Sequence, residues 1–74
     1  MKLEEYLEQH KNQEVRLKLN SNEYYKGILV STMGAYVQLE LGKQVFTYVY
    51  KPNIIKFGQE VVKPQGHEWS RGIS

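Results

Sequence analysis

The side chains in this 74-residue sequence that are best suited to bind a ligand are its tyrosines. Those in the strand-like part of the chain are Tyr24, Tyr25, Tyr36, Tyr48 and Tyr50. A tyrosine ring can stack on a nucleobase, or join an aromatic cage that holds a methylated lysine or arginine. Tyrosine is also an ordinary residue of half-buried strands. We expect strand packing for Tyr24, Tyr25 and Tyr48, whereas Tyr36 and Tyr50 stand beside turns, where either role is open.

No arrangement typical of catalysis accompanies these rings. An enzyme needs a nucleophile beside an activating base, a bound metal, or carboxylates with shifted pKa values. The chain has no cysteine, and His10 and His67 are far apart with no ligand-like spacing around them. No glycine-rich phosphate loop is present, and the serines have no motif around them. The sequence therefore predicts a binding protein rather than an enzyme, with no metal and no cofactor, in which His10 ends a helix.

The net charge of +2 permits nucleic-acid binding without requiring it. The cations scattered along the strand-like segments are Arg16, Lys18, Lys26, Lys43 and Lys56. Scattered single charges are more often solubility charges than a track for phosphates. No apolar run approaches the roughly 20 residues that span a bilayer, and the N-terminus lacks the apolar stretch of a secretory signal. We expect a soluble, intracellular protein without membrane contact, in either the nucleus or the cytoplasm.

Hydrophobic periodicity predicts one helix followed by five short strands. The helix covers residues 2–11, and the strands cover residues 14–20, 24–32, 35–41, 44–50 and 54–57. In the first strand, Val15, Leu17 and Leu19 alternate with polar residues, which is typical of a half-buried strand. The pattern predicts a mostly β fold: an N-terminal helix and a five-stranded, strongly bent antiparallel barrel. This domain covers residues 1–58, and a partly disordered tail covers residues 59–74.

Three features inside this pattern need a structural reason. Gly27 interrupts the second strand, where a glycine indicates a bulge, a sharp bend or a close approach of another backbone. The segment 44–50 is apolar or aromatic on both faces, so it is either sandwiched inside the domain or part of an interface. In the tail, Val61, Val62 and Trp69 are candidates for local packing.

Two stretches resemble the motifs of the Sm/LSm family of RNA-binding ring proteins. The first is VRLKLNSNEYYKGILVS, residues 15–31, with its alternating strand, its turn, its tyrosine–lysine–glycine sequence and its apolar run. The second is VYKPNIIKF, residues 49–57, which ends in a short apolar strand. The resemblance covers residues 2–58 and looks most like the F-type Sm subunits. It implies an SH3-like Sm barrel.

The resemblance also implies partners. Sm proteins form rings, usually of six or seven subunits, in which the fourth strand of one subunit pairs with the fifth strand of the next. Other Sm-like subunits would then cover Phe46, Tyr48, Ile54, Ile55 and Phe57. Single-stranded, typically uridine-rich RNA binds in the central pore, which is lined by the loop between the second and third strands and the loop between the fourth and fifth.

The RNA-contact positions that the resemblance assigns in this chain are Tyr36, Gln38, Tyr50, Lys51 and Asn53. Tyr36 takes the place of the stacking residue, and Lys51 can supply a positive charge one residue away from the family arginine. The chain departs from the family at three positions: Met33 replaces an aspartate, Val37 replaces the asparagine that reads the base edge, and Tyr50 replaces the arginine. A shift of one residue brings Gln38 to the amide position.

Three functions follow from these residues. The first is a ring subunit that binds single-stranded RNA, for RNA processing or ribonucleoprotein assembly. The second is an assembly subunit of the same fold that has lost its RNA site, as Met33, Val37 and Tyr50 suggest. The third is a monomeric barrel whose Tyr24, Tyr25 and Tyr48 form a cage for a methylated peptide. The native mass separates the ring from the cage.

Overall fold

The computed structural model describes residues 2–62 and Pro64, and it has one N-terminal helix and one five-stranded antiparallel sheet. The elements are α1 Leu3–Gln9, β1 Glu14–Leu19, β2 Tyr24–Met33, β3 Tyr36–Gly42, β4 Val45–Tyr50 and β5 Ile54–Phe57. Short 3-10 turns lie at Lys51–Asn53 and Gly58–Glu60. The predicted mostly β fold is confirmed, and the ends of each predicted element differ from the observed ones by at most two residues.

The helix begins with Glu4 and Glu5 in its first turn, where carboxylates suit the helix dipole. It ends at His10, which is the C-cap, as the sequence predicted. The His10 ring donates its Nδ1–H to the main-chain oxygen of Tyr6 at 2.8 Å. Asn12 then takes a left-handed conformation, with φ 65°, and the chain turns into β1. A helix of seven residues is stable only when packed, and the side chains of Tyr6 and Leu7 are buried in the core beneath it.

The strands lie in the order β4-β3-β2-β1-β5. The first four form a meander, and β5 returns to pair with β1, with Leu17 opposite Phe57. Within the described residues, β4 and β5 are the two ends of the sheet and each pairs with one neighbour. The hydrogen-bonded ladder is therefore open between these two strands.

The core lies on the face of the sheet that α1 covers. Its strand residues are Val15, Leu17, Leu19, Leu29, Val37, Leu39, Leu41 and Val49. The predicted alternation is thus confirmed in β1, and in β3 from Val37 onward. Ala35 departs from it, because it lies exposed in the turn before β3 begins.

Gly27 is required by the close approach of β3. A Cβ atom built on this residue would lie 2.6 Å from the main-chain oxygen of Glu40 and 3.2 Å from Cδ2 of Leu41. Real side chains do not make contacts as short as the first of these. The glycine therefore allows the backbones of β2 and β3 to pack more closely than any larger residue would permit, which is one of the three alternatives that the sequence offered.

Of the two alternatives for the strand β4, the structure does not show the one in which it is sandwiched inside the domain. Only Val49 is buried, while Val45, Phe46 and Tyr48 are exposed. The reason is that β4 lies at an edge of the sheet, so among the described residues only β3 and the core cover it.

The packed part of the chain continues past β5 into the segment assigned to the tail. The 3-10 turn Gly58–Glu60 carries the chain back toward the core, where Val61 is fully buried. Val62 is exposed, so only one of the two valines packs locally. Trp69 lies outside the described residues, as does most of the predicted tail.

Candidate nucleic-acid interface

Two loops distant in sequence meet at one end of the sheet. The main-chain N–H of Lys51 donates to the main-chain oxygen of Ala35 at 2.8 Å. Ala35 belongs to the turn between β2 and β3, and Lys51 opens the 3-10 turn between β4 and β5. Pro52 lies in that turn and fixes its own φ. The fold thus brings together the two loops beside which, or in which, the candidate RNA-contact residues lie.

Tyr36 and Tyr50 form an exposed aromatic pair beside this junction. They are directly opposite each other in the β3–β4 ladder, and the centres of their rings are 5.2 Å apart with a 47° angle between the planes. Their exposed fractions are 48% for Tyr36 and 42% for Tyr50. This separation is typical of a favourable aromatic contact, and both rings still present surface to solvent. The pair can therefore offer an apolar, polarisable surface to a flat ligand.

Lys51 supplies the positive charge at this end of the sheet. Its Nζ lies 3.2 Å from Oε1 and 3.3 Å from Oε2 of Glu4, which is in the first turn of α1. The Lys51 side chain is only 16% exposed, whereas that of Glu4 is 70% exposed. The sequence did not single out Glu4, and no local pattern could have done so, since 47 positions separate the two residues.

The two amide residues expected at the site hold different places. Gln38 lies two residues after Tyr36, on the same face of β3, and its Oε1 accepts a hydrogen bond from Oγ of Ser31 at 3.2 Å. Asn53 instead ties the loop to the end of β1. Its main-chain oxygen accepts from the N–H of Asn20 at 2.8 Å, and its Oδ1 lies 3.5 Å from Nδ2 of that residue. In this structure both amide oxygens therefore bind other parts of the protein.

Two of the departures from the Sm pattern have a clear structural position. Val37, which the resemblance assigns to the base-reading position, is fully buried in the core. Met33 is exposed at the end of β2, directly opposite Tyr36. An inward valine cannot reach a ligand on the outer face, so any recognition at this site depends on Tyr36, Tyr50 and their neighbours.

The residues expected at a subunit border lie on opposite edges of the sheet. Phe46 and Tyr48 are exposed on β4, and Ile55 is exposed on β5. Ile54 and Phe57 pack partly against the core, and the Phe57 ring lies 4.9 Å from that of Tyr6. Of the residues expected at the border, Phe46 and Tyr48 are thus exposed at one edge and Ile55 at the other.

The three tyrosines of the cage hypothesis are not brought together. Tyr24 is buried at the start of β2, and Tyr25 lies on the other face of that strand, opposite Leu17. Tyr48 of β4 is opposite Gln38 of β3, which in turn is opposite Ser31 of β2. Tyr24 is seven residues before Ser31 on β2, which corresponds to roughly 23 Å measured along the strand. The three rings of that hypothesis therefore do not share one face of the sheet in this structure.

The strand cations are less dispersed than the sequence suggested. Register places Arg16 directly opposite Lys26, and Lys18 directly opposite Lys56. Lys18 also lies with its Nζ 5.4 Å from the centre of the Tyr24 ring, within reach of a cation–π contact. Four of the five cations thus share one region of β1, β2 and β5, while Lys43 lies apart in the β3–β4 turn.

The described part of the chain contains no group of three or more histidine, cysteine or acidic residues able to hold a metal ion. None of the helices in that same part has the length and apolar character needed to cross a bilayer.

A comparison of this chain with known proteins found no matching family model, curated protein or solved structure.

Proposed function

We propose that this chain is a subunit of an Sm-like ring that binds single-stranded RNA at the Tyr36–Tyr50 pair. The observation that carries the proposal is the exposed pair of rings, 5.2 Å apart, beside two loops joined by the Lys51–Ala35 hydrogen bond. The resemblance of residues 15–31 and 49–57 to the Sm motifs supports it, because the same two loops face RNA in that family.

The proposed contact with RNA combines stacking and charge. A base stacks on Tyr36 or Tyr50, a contact worth about 1–3 kcal/mol for each base. A neighbouring phosphate approaches Lys51, which is the cation nearest in sequence to the aromatic pair. Each subunit contributes one such site, and a closed ring adds the sites together, so that affinity for a strand grows well beyond that of one subunit.

The proposed ring uses the two ends of the sheet. In this proposal the sheet curls into the SH3-like barrel of Sm proteins. Gly27 lies where the backbone of β2 comes close to that of β3. The edge of β4 in one subunit pairs with the edge of β5 in the next, which covers Phe46, Tyr48 and Ile55. Six or seven subunits close the ring, and closure satisfies edges that would otherwise invite uncontrolled pairing.

Two measurements test this proposal on the whole chain. Native mass spectrometry should give six or seven times the subunit mass of 8.7 kDa. Fluorescence anisotropy with labelled oligouridine and oligoadenine should give a dissociation constant below about 10 µM for at least one strand. Failure to bind any single strand would overturn the RNA-binding part, and a monomer at all concentrations would overturn the homomeric ring.

A second function, an assembly subunit without RNA binding, is favoured by one observation. Val37, where the family has its base-reading asparagine, is buried and cannot contact a base, and Gln38 is already bonded to Ser31. The same two measurements separate the functions, since this subunit would form the ring and leave both oligonucleotides unbound.

A further inference from the structure

The ion pair between Glu4 and Lys51 joins the helix to the proposed RNA site. The Lys51 ammonium lies within 3.3 Å of both carboxylate oxygens of Glu4. A carboxylate and a phosphate offer a lysine the same kind of contact, an anionic oxygen that accepts a charge-assisted hydrogen bond. A phosphate that approaches Lys51 therefore meets an ammonium whose charge is already matched by Glu4.

The two partners differ in how firmly they are held. Lys51 has its main-chain N–H bonded to Ala35, precedes a proline, and has a side chain that is only 16% exposed. Glu4 is 70% exposed in the first turn of a short helix, and within the described residues its side chain bonds only to Lys51. An exposed glutamate can rotate into solvent at small cost. Separation of the pair would therefore move the carboxylate and leave the ammonium in place.

We propose that Glu4 is a built-in competitor for the RNA site, which occupies Lys51 until a phosphate displaces it. This inference rests on the proposed RNA-binding function and adds a residue that sets the strength of that binding. Displacement has two consequences. Binding is weaker than the site would otherwise allow, because the ion pair must first be broken. Binding also depends less on salt, because the freed carboxylate stays close to the incoming phosphate and partly cancels the lysine charge.

The test is a comparison of Glu4→Gln with Glu5→Gln in the full chain. Glu5 is an exposed residue of the same helical turn, so its substitution removes the same charge without touching Lys51. We expect Glu4→Gln to tighten binding of the oligonucleotide that the wild type binds best by about two- to five-fold, the equivalent of an exposed ion pair. We expect its plot of log Kd against log salt to be steeper by up to about 0.7 for each further phosphate that the protein neutralises.

A double-mutant cycle isolates the pair from other effects of charge. In the Lys51→Gln background, Glu4→Gln should have no more effect than Glu5→Gln, because the lysine for which Glu4 competes is gone. Equal affinities for Glu4→Gln and Glu5→Gln would overturn the inference, as would weaker binding by Glu4→Gln, which would make Glu4 a residue that positions Lys51 for RNA.

The failure of this inference can be told apart from failure of the proposed function. If the wild type binds and Glu4→Gln shows no increase in affinity over its control, only the competitor role is wrong. If neither the wild type nor Glu4→Gln binds any single strand, the RNA-binding function and the competitor role are both wrong.

Discussion

Tyr36 and Tyr50 face each other across the β3–β4 ladder, with their ring centres 5.2 Å apart, at the end of the sheet where two loops join. Tyr36 is the first residue of β3 and Tyr50 is the last residue of β4, so the sheet holds the backbone of both residues at its end. Sites built on strands hold their geometry better than sites built on loops alone. The pair therefore offers a ligand a surface that is arranged before binding.

Removal of one ring should weaken RNA binding much more than it weakens the fold. For Tyr36→Ala we expect a loss of roughly 5- to 150-fold in affinity for the preferred oligonucleotide, which corresponds to one stacked base. Tyr36→Phe keeps the ring and should stay close to the wild type. Both are measured by anisotropy, with the thermal midpoint as a check on folding.

The matched control for this substitution is Met33→Ala. Met33 is exposed directly opposite Tyr36 on the neighbouring strand, so its truncation alters the same corner without removing an aromatic ring. It should leave affinity nearly unchanged. Equal losses for Met33→Ala and Tyr36→Ala would argue against stacking as the source of the binding energy.

A charge on the edge strand should prevent assembly. Tyr48 is 55% exposed on β4, where the proposed ring has the next subunit, and an edge lysine disfavours strand pairing. Tyr48→Lys should therefore give a folded monomer by native mass spectrometry, with a circular dichroism spectrum like that of the wild type. Gln9→Lys adds the same charge at an exposed position of α1 and should assemble normally. A Tyr48→Lys protein that keeps the wild-type mass would place the border elsewhere.

A side chain at Gly27 should lower the stability of the fold. The Cβ of Gly27→Ala would lie 2.6 Å from the main-chain oxygen of Glu40, so the two strands would have to move apart. We expect a loss of about 1–3 kcal/mol in the free energy of unfolding, measured by urea titration. At Gly42 the nearest atoms to a Cβ are 3.8 Å away, on Val45, so Gly42→Ala serves as the control and should change stability little. Similar losses at both positions would point to glycine flexibility rather than the close approach.

The phenol of Tyr6 should make the fold less stable in alkali. Burial raises the pKa of Tyr6 above its ordinary value of 10.0, while a main-chain hydrogen bond from Arg16 and the charge of that residue partly offset the rise. Because the folded state binds the proton more tightly, this stabilisation is complete below about pH 10 and is lost as pH rises through the folded pKa. The free energy of unfolding should therefore fall above pH 10.

Tyr6→Phe separates this effect from general alkaline unfolding. The variant keeps the aromatic ring in the core, but it cannot ionise at this position. Its free energy of unfolding should decline less between about pH 9 and pH 11.5 than that of the wild type. Parallel declines in the two proteins would assign the alkaline instability to other groups.

The sequence predicted the strands well and the contacts between distant side chains poorly. Val15, Leu17 and Leu19 alternate so strictly that their burial followed from the period of two alone. Gly27 indicated a bulge, a bend or a close approach, and only the structure shows the close approach to Glu40. The exposed aromatic face of β4 was ambiguous, because a sequence does not say whether the chain itself or a partner covers a second apolar face.

Other features depend on register, which a sequence does not contain. The opposition of Arg16 and Lys26 follows from how β1 aligns with β2, and a shift of one residue would send one of these side chains to the other face. The Glu4–Lys51 pair depends on where α1 lies over the sheet and on the bonded position of the 3-10 turn. No spacing along the chain carries that information.

The pairing of β5 with β1 has a consequence for how the protein is made. Every other strand pair in the described sheet joins neighbours along the chain, whereas Leu17 must wait for Phe57, which is synthesised 40 residues later. Such a distant contact raises contact order and slows folding, because a long loop must close before the contact forms. During translation β1 therefore leaves the ribosome with one edge unpaired. Until β5 is synthesised, that edge of β1 is open to pairing with a wrong strand.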